Sequence, residues 1–396
     1  MALPTTEPAG THLRLAWFGH SVGARGDGLT TYSADVVGGL LERGLEVWFH
    51  HASRDGPITP VDADHEIGWP TWRFKTVTVA RPGFQRNLAS WLRRVQPDIV
   101  HASLSFTVQD GWLGREAQAS GAATVATFHL PFGRPGSGRA LVMRELHRFW
   151  APRLRAYQRV IVFSDDHRLR LSQVGVDRAR IEVVPNAVDV DRFLPGASHL
   201  RTTRLQGSGL VVGFAGRLDP EKGVRELLQG FRDANLGAEA RLVVAGQGTM
   251  LREVVAAQTD PRVIYLGQLH TIQERIDFWR AVDVFCLPSS AEGLSIALLE
   301  AMASGCAVAA TPAGGSSLVG GVAEVLHPER LSQSIATWLA ALEQDPKEVE
   351  QLGQSARAEA VRHHGMAAML DRLLEIYGDI RSGPRAVAMG RKNASR

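Results

Sequence analysis

The chain has 396 residues, 44% of them hydrophobic and 21% charged, which suits two domains that each bury a core and excludes a disordered chain. A formal charge of +3 is too small a bias to point to nucleic acid, and only four of the 44 basic residues are lysine. The two cysteines, Cys286 and Cys306, lie in apolar strand-like runs and read as small buried hydrophobes, not as a disulfide framework. No apolar run approaches the roughly 18 residues of a membrane span, and MALPTTEPAG lacks signal-peptide character. The expectation is a soluble cytoplasmic protein, at most peripheral to the inner membrane face.

From the N-terminus, Leu13–His20 reads as a strand, followed by a glycine-rich loop at Gly23–Gly28 and a helix over Thr30–Arg43 that Gly44 ends. Glu46–His51 is the next strand, residues 52–71 read as loop, and Trp72–Val79 as a further strand. Helices at Gln85–Val95, Gln109–Ala119 and Arg139–Tyr157 then alternate with strands at Asp98–Ala102, Thr124–His129 and Arg159–Ser164, before helix Asp165–Gln173 and strand Ile181–Pro185. This spacing predicts a parallel sheet covered on both faces. The polar segment 195–208 reads as the domain boundary.

The alternation restarts beyond it. Strands are predicted at Gly209–Ala215, Arg241–Ala245, Val263–Leu266, Val282–Pro288, Ala307–Thr311 and Val322–Leu326. Helices fall at Val224–Ala234, Met250–Gln258, Gln273–Arg280 and Ser295–Ser304, and three more close the chain, the last amphipathic. The fold class is therefore α/β, two Rossmann-like parallel-sheet domains facing a central cleft, where such sheets bind ligands. The divisions are 1–195, 196–365, a final helix over 366–382 and a disordered tail over 383–396.

The stretch Val282–Gly315 runs strand, polar loop, helix, with Gly305 as its C-cap. A helix start after a buried strand offers unpaired N–H groups and the positive end of a dipole, which suits phosphate. In GFAGRLDPEKG, Arg217 and Lys222 bracket a turn at another strand-to-helix junction; they suit a diphosphate, although a solvated turn would look the same. Glu292 precedes the predicted helix, where a carboxylate favours the dipole without any ligand. Glu300 lies among Leu298, Leu299, Ala301 and Met302, and an ionised carboxylate in that packing needs a partner. Eight helical positions span about 12 Å, more than the roughly 5 to 10 Å that paired acid–base carboxylates of glycoside hydrolysis keep. The spacing favours two acceptors reaching opposite ends of one elongated ligand.

His101 and His129 both end strands at the edge where ligand groups gather, though a strand-end histidine is more often structural. No close metal-ligand spacing links His20, His50, His51, His101 and His129, so no metal site is expected. Residues 139–159 interleave six arginines with Leu141, Leu146, Phe149, Trp150 and Leu154, interrupted by Pro152. They read as a sheet-covering helix with a solvated face, or as a surface for an anionic membrane or an acidic acceptor.

Taken together, AGRLDPEKG, VVAGQG, the E-x7-E pair of EGLSIALLEAMASG and the later GG resemble the retaining GT-B glycosyltransferases of the large family 4 type, sucrose-synthase and mannosyltransferase-like. QPDIVHAS, TFH, VFS and VPNAVDVDRF add to the resemblance in the first domain. It implies transfer of a sugar (EC 2.4, hexosyltransferase type) from a UDP- or GDP-linked donor, with retention, without a metal or other cofactor. By the same resemblance Arg217 and Lys222 clamp the diphosphate, Glu300 accepts from the ribose and Glu292 from the sugar. Gly293, Leu294, Ser295 and Ile296 meet the phosphates or sugar, Gly28 approaches the diphosphate, and His129 the reacting centre. The catalytic set is His129, Glu292, Arg217 and Lys222, and the final helix returns to the first domain. The sequence departs from the family at Asp27, where a second glycine is usual, at Ser295, where glycine is common, and at Leu318, where an acidic residue often stands.

Three rivals remain. A dinucleotide oxidoreductase is disfavoured because Gly23–Gly28 spells G-x-x-G-x-G and Glu46–His51 ends without an acid. A sugar-nucleotide epimerase or hydrolase would share the fold. A non-catalytic two-lobed binding protein would have no need of two cations and two glutamates around one site.

Overall fold

The computed structural model describes residues 13–19, 28–53, 64–74, 77–104, 110–129, 138–205, 209–290, 292, 295–315 and 319–382. The first part holds strands β1 (Arg14–Phe18), β2 (Glu46–Ser53), β3 (His65–Phe74), β4 (Val77–Ala80), β5 (Ile99–Leu104), β6 (Ala123–Phe128), β7 (Arg159–Val162) and β8 (Ile181–Val183). Its helices are α1 (Gly28–Glu42), α2 (Phe84–Val95), α3 (Asp110–Ala119), α4 (Gly138–Leu154) and α5 (Asp165–Gln173). A short helix α6 (His199–Arg204) leads into β9 (Val211–Ala215), α7 (Val224–Asp233), β10 (Arg241–Ala245), α8 (Leu251–Ala257), β11 (Val263–Tyr265), α9 (Ile272–Ala281), β12 (Val284–Leu287), α10 (Ile296–Ala303), β13 (Ala307–Ala310) and β14 (Glu324–Val325). Helices α11 (Leu331–Gln344), α12 (Pro346–His363) and α13 (Met366–Ser382) follow.

Two sheets result, ordered β4-β3-β2-β1-β5-β6-β7-β8 and β11-β10-β9-β12-β13-β14. The second is parallel throughout, and its central strands β9, β12 and β13 are buried along nearly their whole length, as strands covered on both faces must be. Its chain order reverses between β9 and β12, so the loops after these two strands open at the switch point where such sheets hold ligands.

Two expectations need correction. Residues 65–71 are strand, not loop: His65–Phe74 pairs with the antiparallel β4 at the edge of the first sheet. Pro152 does not interrupt α4, which runs on to Leu154 and forgoes only the bond that an N–H at this position would have donated to Arg148 O. The segment 195–208 also holds α6, whose Leu200, with Leu205 just after it, is buried in the second-domain core around Val211 and Phe278.

The last helix leaves the second domain and packs on the first. Met369, Leu370, Leu373, Ile376, Tyr377 and Ile380 form one stripe, buried against Leu15, Trp17, Val36 and Leu40. Gly39 of α1 lies so close to it that a Cβ would stand 2.3 Å from Leu370 Cδ1. His101 is fully buried between Tyr377 (Nδ1 to hydroxyl 2.5 Å) and Thr127 (Nε2 to Oγ1 2.7 Å), and burial pushes its pKa down to about 3. It is a structural tie between sheet and helix. The two chain crossings lie side by side: Val188 N–H donates to His364 O (2.8 Å) and Met366 N–H to Val188 O (2.9 Å), while Arg357 donates to Phe193 O (3.1 Å).

Candidate active site

The loops after β9 and β12 lock together before any ligand is considered. Gly223 has φ +69°, and a Cβ there would stand 2.3 Å from Pro288 O, so only glycine lets the β9 loop approach the end of β12. Ser290 N–H donates to Glu221 O (2.8 Å) across the same seam. Asp219 accepts from Thr249 N–H and hydroxyl (3.0 Å each), joining the glycine turn after β10 to the cluster; these bonds and Arg217, outweighing desolvation, hold its carboxyl below the usual range.

Within this frame Lys222 Nζ donates to both oxygens of Glu292, at 2.6 and 2.7 Å, with both side chains largely buried. Arg217 pairs with Asp219 and, through Nη2, with Glu221 Oε1 at 2.9 Å. Two cations are thus held at the switch point by three carboxylates. Next to them Ser295 is the N-cap of α10, and its side chain makes no capping bond, so among the described residues the first-turn N–H groups have no N-cap side chain as acceptor.

Glu300 sits in the second turn of α10, buried among Leu298, Leu299 and Met302, and its required partner comes from α9. Arg275 Nη1 donates to Oε1 (2.7 Å) and Trp279 Nε1 to Oε2 (2.8 Å). Desolvation raises the Glu300 pKa, opposed by the Arg275 charge and the Trp279 hydrogen bond. Sequence reasoning missed both partners; the signal was there, a basic and an indole side chain four residues apart on the helix preceding β12.

Across the cleft, His129 follows β6 with Nε2 2.7 Å from Ser103 Oγ and its ring edge-on to Tyr32 at 4.8 Å. Tyr32 belongs to the first-domain core cluster against which Ile296, the first residue of α10, also packs, so the start of α10 adjoins the first domain. Gly28 begins α1, and a Cβ there would meet nothing within 4 Å. Asp35, two turns along α1, feels Arg275, Glu300, Arg192 and Asp189, and desolvation above all pushes its pKa up to about 7. Arg217, Lys222, Glu292, Ser295, Ile296 and Glu300 therefore all lie on or just after strand-to-helix junctions of the second sheet, Glu300 buried, while His129 and Gly28 belong to the first domain. Gly293, Leu294, Leu318, the tail 383–396, residues 130–137 and most of the glycine-rich loop with His20 and Asp27 lie outside the described residues. Among the described residues no cluster of three or more His, Cys, Asp or Glu could hold a metal, and no helix is long and apolar enough to cross a membrane.

Paired parallel-sheet domains with their ligand loops turned to one cleft define the GT-B class, and the solved structures agree. Sucrose-phosphate synthase of Thermosynechococcus elongatus superposes with a TM-score of 0.76 at 18% identity, covering 92% of this chain and 98% of that one. Anabaena HepE, solved with UDP-glucose, gives 0.71 at 16% identity over 92% and 99%. Family models described as Glycosyltransferase Family 4 and Glycosyl transferases group 1 match residues 26–192 and 209–345. The chain belongs to the GT-B glycosyltransferases of the family 4 type. Among curated relatives it is 30% identical to the UDP-Gal:alpha-D-GlcNAc-diphosphoundecaprenol alpha-1,3-galactosyltransferase of Escherichia coli, over 55% of this chain and 59% of that protein. It is 34% identical to the D-inositol 3-phosphate glycosyltransferase of Xylanimonas cellulosilytica, over 51% and 52%. The matches thus span little more than half the length of these relatives.

Proposed function

We propose that the protein transfers a hexose from a UDP- or GDP-sugar to an acceptor hydroxyl with retention and without a metal. The observation that carries this reading is the pair Arg217 and Lys222, held beside the open start of α10 at the switch point of the second sheet. Cations and a helix dipole fixed there stabilise the negative charge that grows on the departing diphosphate, the part a metal would otherwise play. Glu292 then turns from Lys222 to the sugar hydroxyls, Glu300 accepts from the ribose, and the N–H groups of Ser295 and Ile296, with those of Gly293 and Leu294, meet the phosphates or sugar. Gly28 leaves room for the diphosphate, and His129 faces the donor sugar. In a front-face reaction the bond from the anomeric carbon to the phosphate oxygen breaks, the acceptor oxygen bonds to the same face, and the leaving phosphate takes the acceptor proton.

The test is thermal-shift screening against UDP, GDP, ADP and TDP, followed by turnover of the matching sugar nucleotide with and without EDTA. A ligand at about 100 times its dissociation constant adds roughly 2.7 kcal/mol. No stabilisation by any of the four would remove the donor assignment, and loss of turnover in EDTA the metal independence. Free sugar or an epimer from donor alone would favour a hydrolase or epimerase.

For the acceptor, the E. coli relative's name specifies a diphosphoundecaprenol-linked sugar. On this chain Phe149 and Leu146 of α4 are 61% and 36% exposed, and Arg153 stacks over Phe149 and Trp150 at 4.4 and 4.6 Å. Arg144 and Arg148, exposed on the other side of the helix, are paired with Glu145, so the apolar face with Arg153 is what suits the interface where a lipid-linked acceptor resides. Failure to sediment with phosphatidylglycerol vesicles at low salt would leave a small polar acceptor as the better reading.

A further inference from the structure

Glu300 raises a question that its place in the donor site does not answer. A carboxylate meant to accept hydroxyls has both oxygens engaged by protein donors, Arg275 at 2.7 Å and Trp279 at 2.8 Å. We propose that Arg275 and Trp279 are positioning residues that fix the Glu300 carboxylate so that its free lone pairs face the two ribose hydroxyls of the donor; this rests on the reading that Glu300 faces the ribose.

The geometry is that of a clamp. Arg275 and Trp279 stand four residues apart on α9 and so project from one face of it. Each takes one oxygen, leaving about half of the roughly four acceptor sites of an ionised carboxylate, enough for a vicinal diol. The clamp itself is braced. Trp279 is 1% exposed and packs edge-on against Phe278 and Phe285, at 4.9 and 5.1 Å. The Arg275 guanidinium lies 5.6 Å from the Phe193 ring, beside the crossing between domains. With these partners the rotamer of Glu300 does not depend on a ligand. The two donors also favour the ionised, acceptor-only form against burial, which a hydroxyl-reading carboxyl requires. Burial alone asks for donors on both oxygens; what a salt bridge serving packing alone would not need is a place on the helix that follows the switch-point strand.

A positioning role and a merely structural one differ in what they do to sugar discrimination. The experiment compares binding of UDP and GDP with that of their 2′,3′-dideoxy counterparts, using whichever base wild type binds more tightly. The proteins are wild type, Glu300→Gln, Trp279→Phe, Arg275→Gln and Arg275→Lys, each checked for native circular dichroism. A hydrogen bond to a charged group predicts a preference for the ribonucleotide of about tenfold or more in wild type. Arg275→Gln and Trp279→Phe are expected to shrink it to about threefold or less, as Glu300→Gln does, with Arg275→Lys recovering part. Because Trp279 is buried and its variant is the one at risk of misfolding, the partly exposed Arg275 pair carries the test if it fails to fold. If Arg275→Gln weakens both nucleotides equally and keeps the preference while Glu300→Gln loses it, the positioning role is overturned and the ribose reading stands. If wild type shows no ribonucleotide preference, or binds neither diphosphate, the ribose reading falls and the inference with it.

Discussion

At the residue scale, the cations of the site are not waiting free for a diphosphate. Lys222 is neutralised by Glu292 through two short hydrogen bonds, and Arg217 by Asp219 and Glu221. On the proposed function, a nucleoside diphosphate displaces Glu292 from Lys222, at the cost of a charge-assisted pair. Glu292→Gln removes that competition, so UDP affinity should rise by about 3- to 10-fold, the equivalent of roughly 1 kcal/mol. Turnover of the sugar nucleotide should fall by about 100-fold, because the group proposed for the sugar hydroxyls has lost its charge. Calorimetry of UDP binding beside initial-rate measurements reads both; a parallel loss of affinity and turnover would mean that Glu292 does not compete for Lys222. Lys222→Ala should lose both, by about 10-fold or more in affinity. The positions of these groups were legible, because each falls at a fixed offset from a strand end. Their mutual pairing was not, since Lys222 and Glu292 lie 70 residues apart and only the switch-point topology brings them together.

At the element scale, periodicity located the helices of both sheets to within a few residues and failed where local composition misleads. The segment 195–208 is polar and carries Gly and Ser, yet α6 forms there because its N-terminal N–H groups are satisfied by its own N-cap and by a carboxylate from α9. Ser198 caps Arg201 N–H at 3.1 Å, and Asp277 of α9 accepts from the N–H groups of His199 and Leu200 at 2.6 and 2.9 Å. A helix of six residues is unstable alone and needs such tertiary partners, which a local window cannot see. Asp277→Ala should cost about 1 to 2 kcal/mol in denaturant unfolding, the upper range for a lost cap because two donors are orphaned at once. An unchanged midpoint would mean that water replaces the carboxylate without penalty. The edge hairpin was misread for a related reason: β3 holds Gly68 and Pro70, residues that weaken a strand assignment and are tolerated near a sheet edge.

At the scale of the whole molecule, the two sheets are joined by paired crossings at Val188 and Met366, and α13 binds the far end of the chain to the first domain. The stripe on α13 was legible as amphipathic; the close approach of Gly39 that receives it was not, because it depends on how two distant helices cross. Across the boundary between domains, Asp35 of α1 faces Arg275 and Glu300 of the second domain and Arg192 and Asp189 of the crossing. Desolvation outweighs the two arginines, and the carboxyl is pushed from 3.8 up to about 7. Since the folded state holds this proton more tightly than the unfolded chain, Asp35 costs nothing below about pH 4. Stability is then lost progressively as pH rises to about 7, and the loss is constant above. Asp35→Asn keeps the shape and removes the charge, so at pH 8 it should be more stable than wild type by about 1 to 2 kcal/mol after allowance for solvent screening, and unfold at a higher temperature. The gap should close at pH 4. Comparing the difference between the two proteins, not either curve alone, cancels the opposite trend from carboxylates such as Asp219 and Asp260, whose pKa values are lowered. Melts at pH 4, 6 and 8 decide the matter: a gap that is constant with pH would mean that Asp35 titrates normally and that the two domains meet there through water.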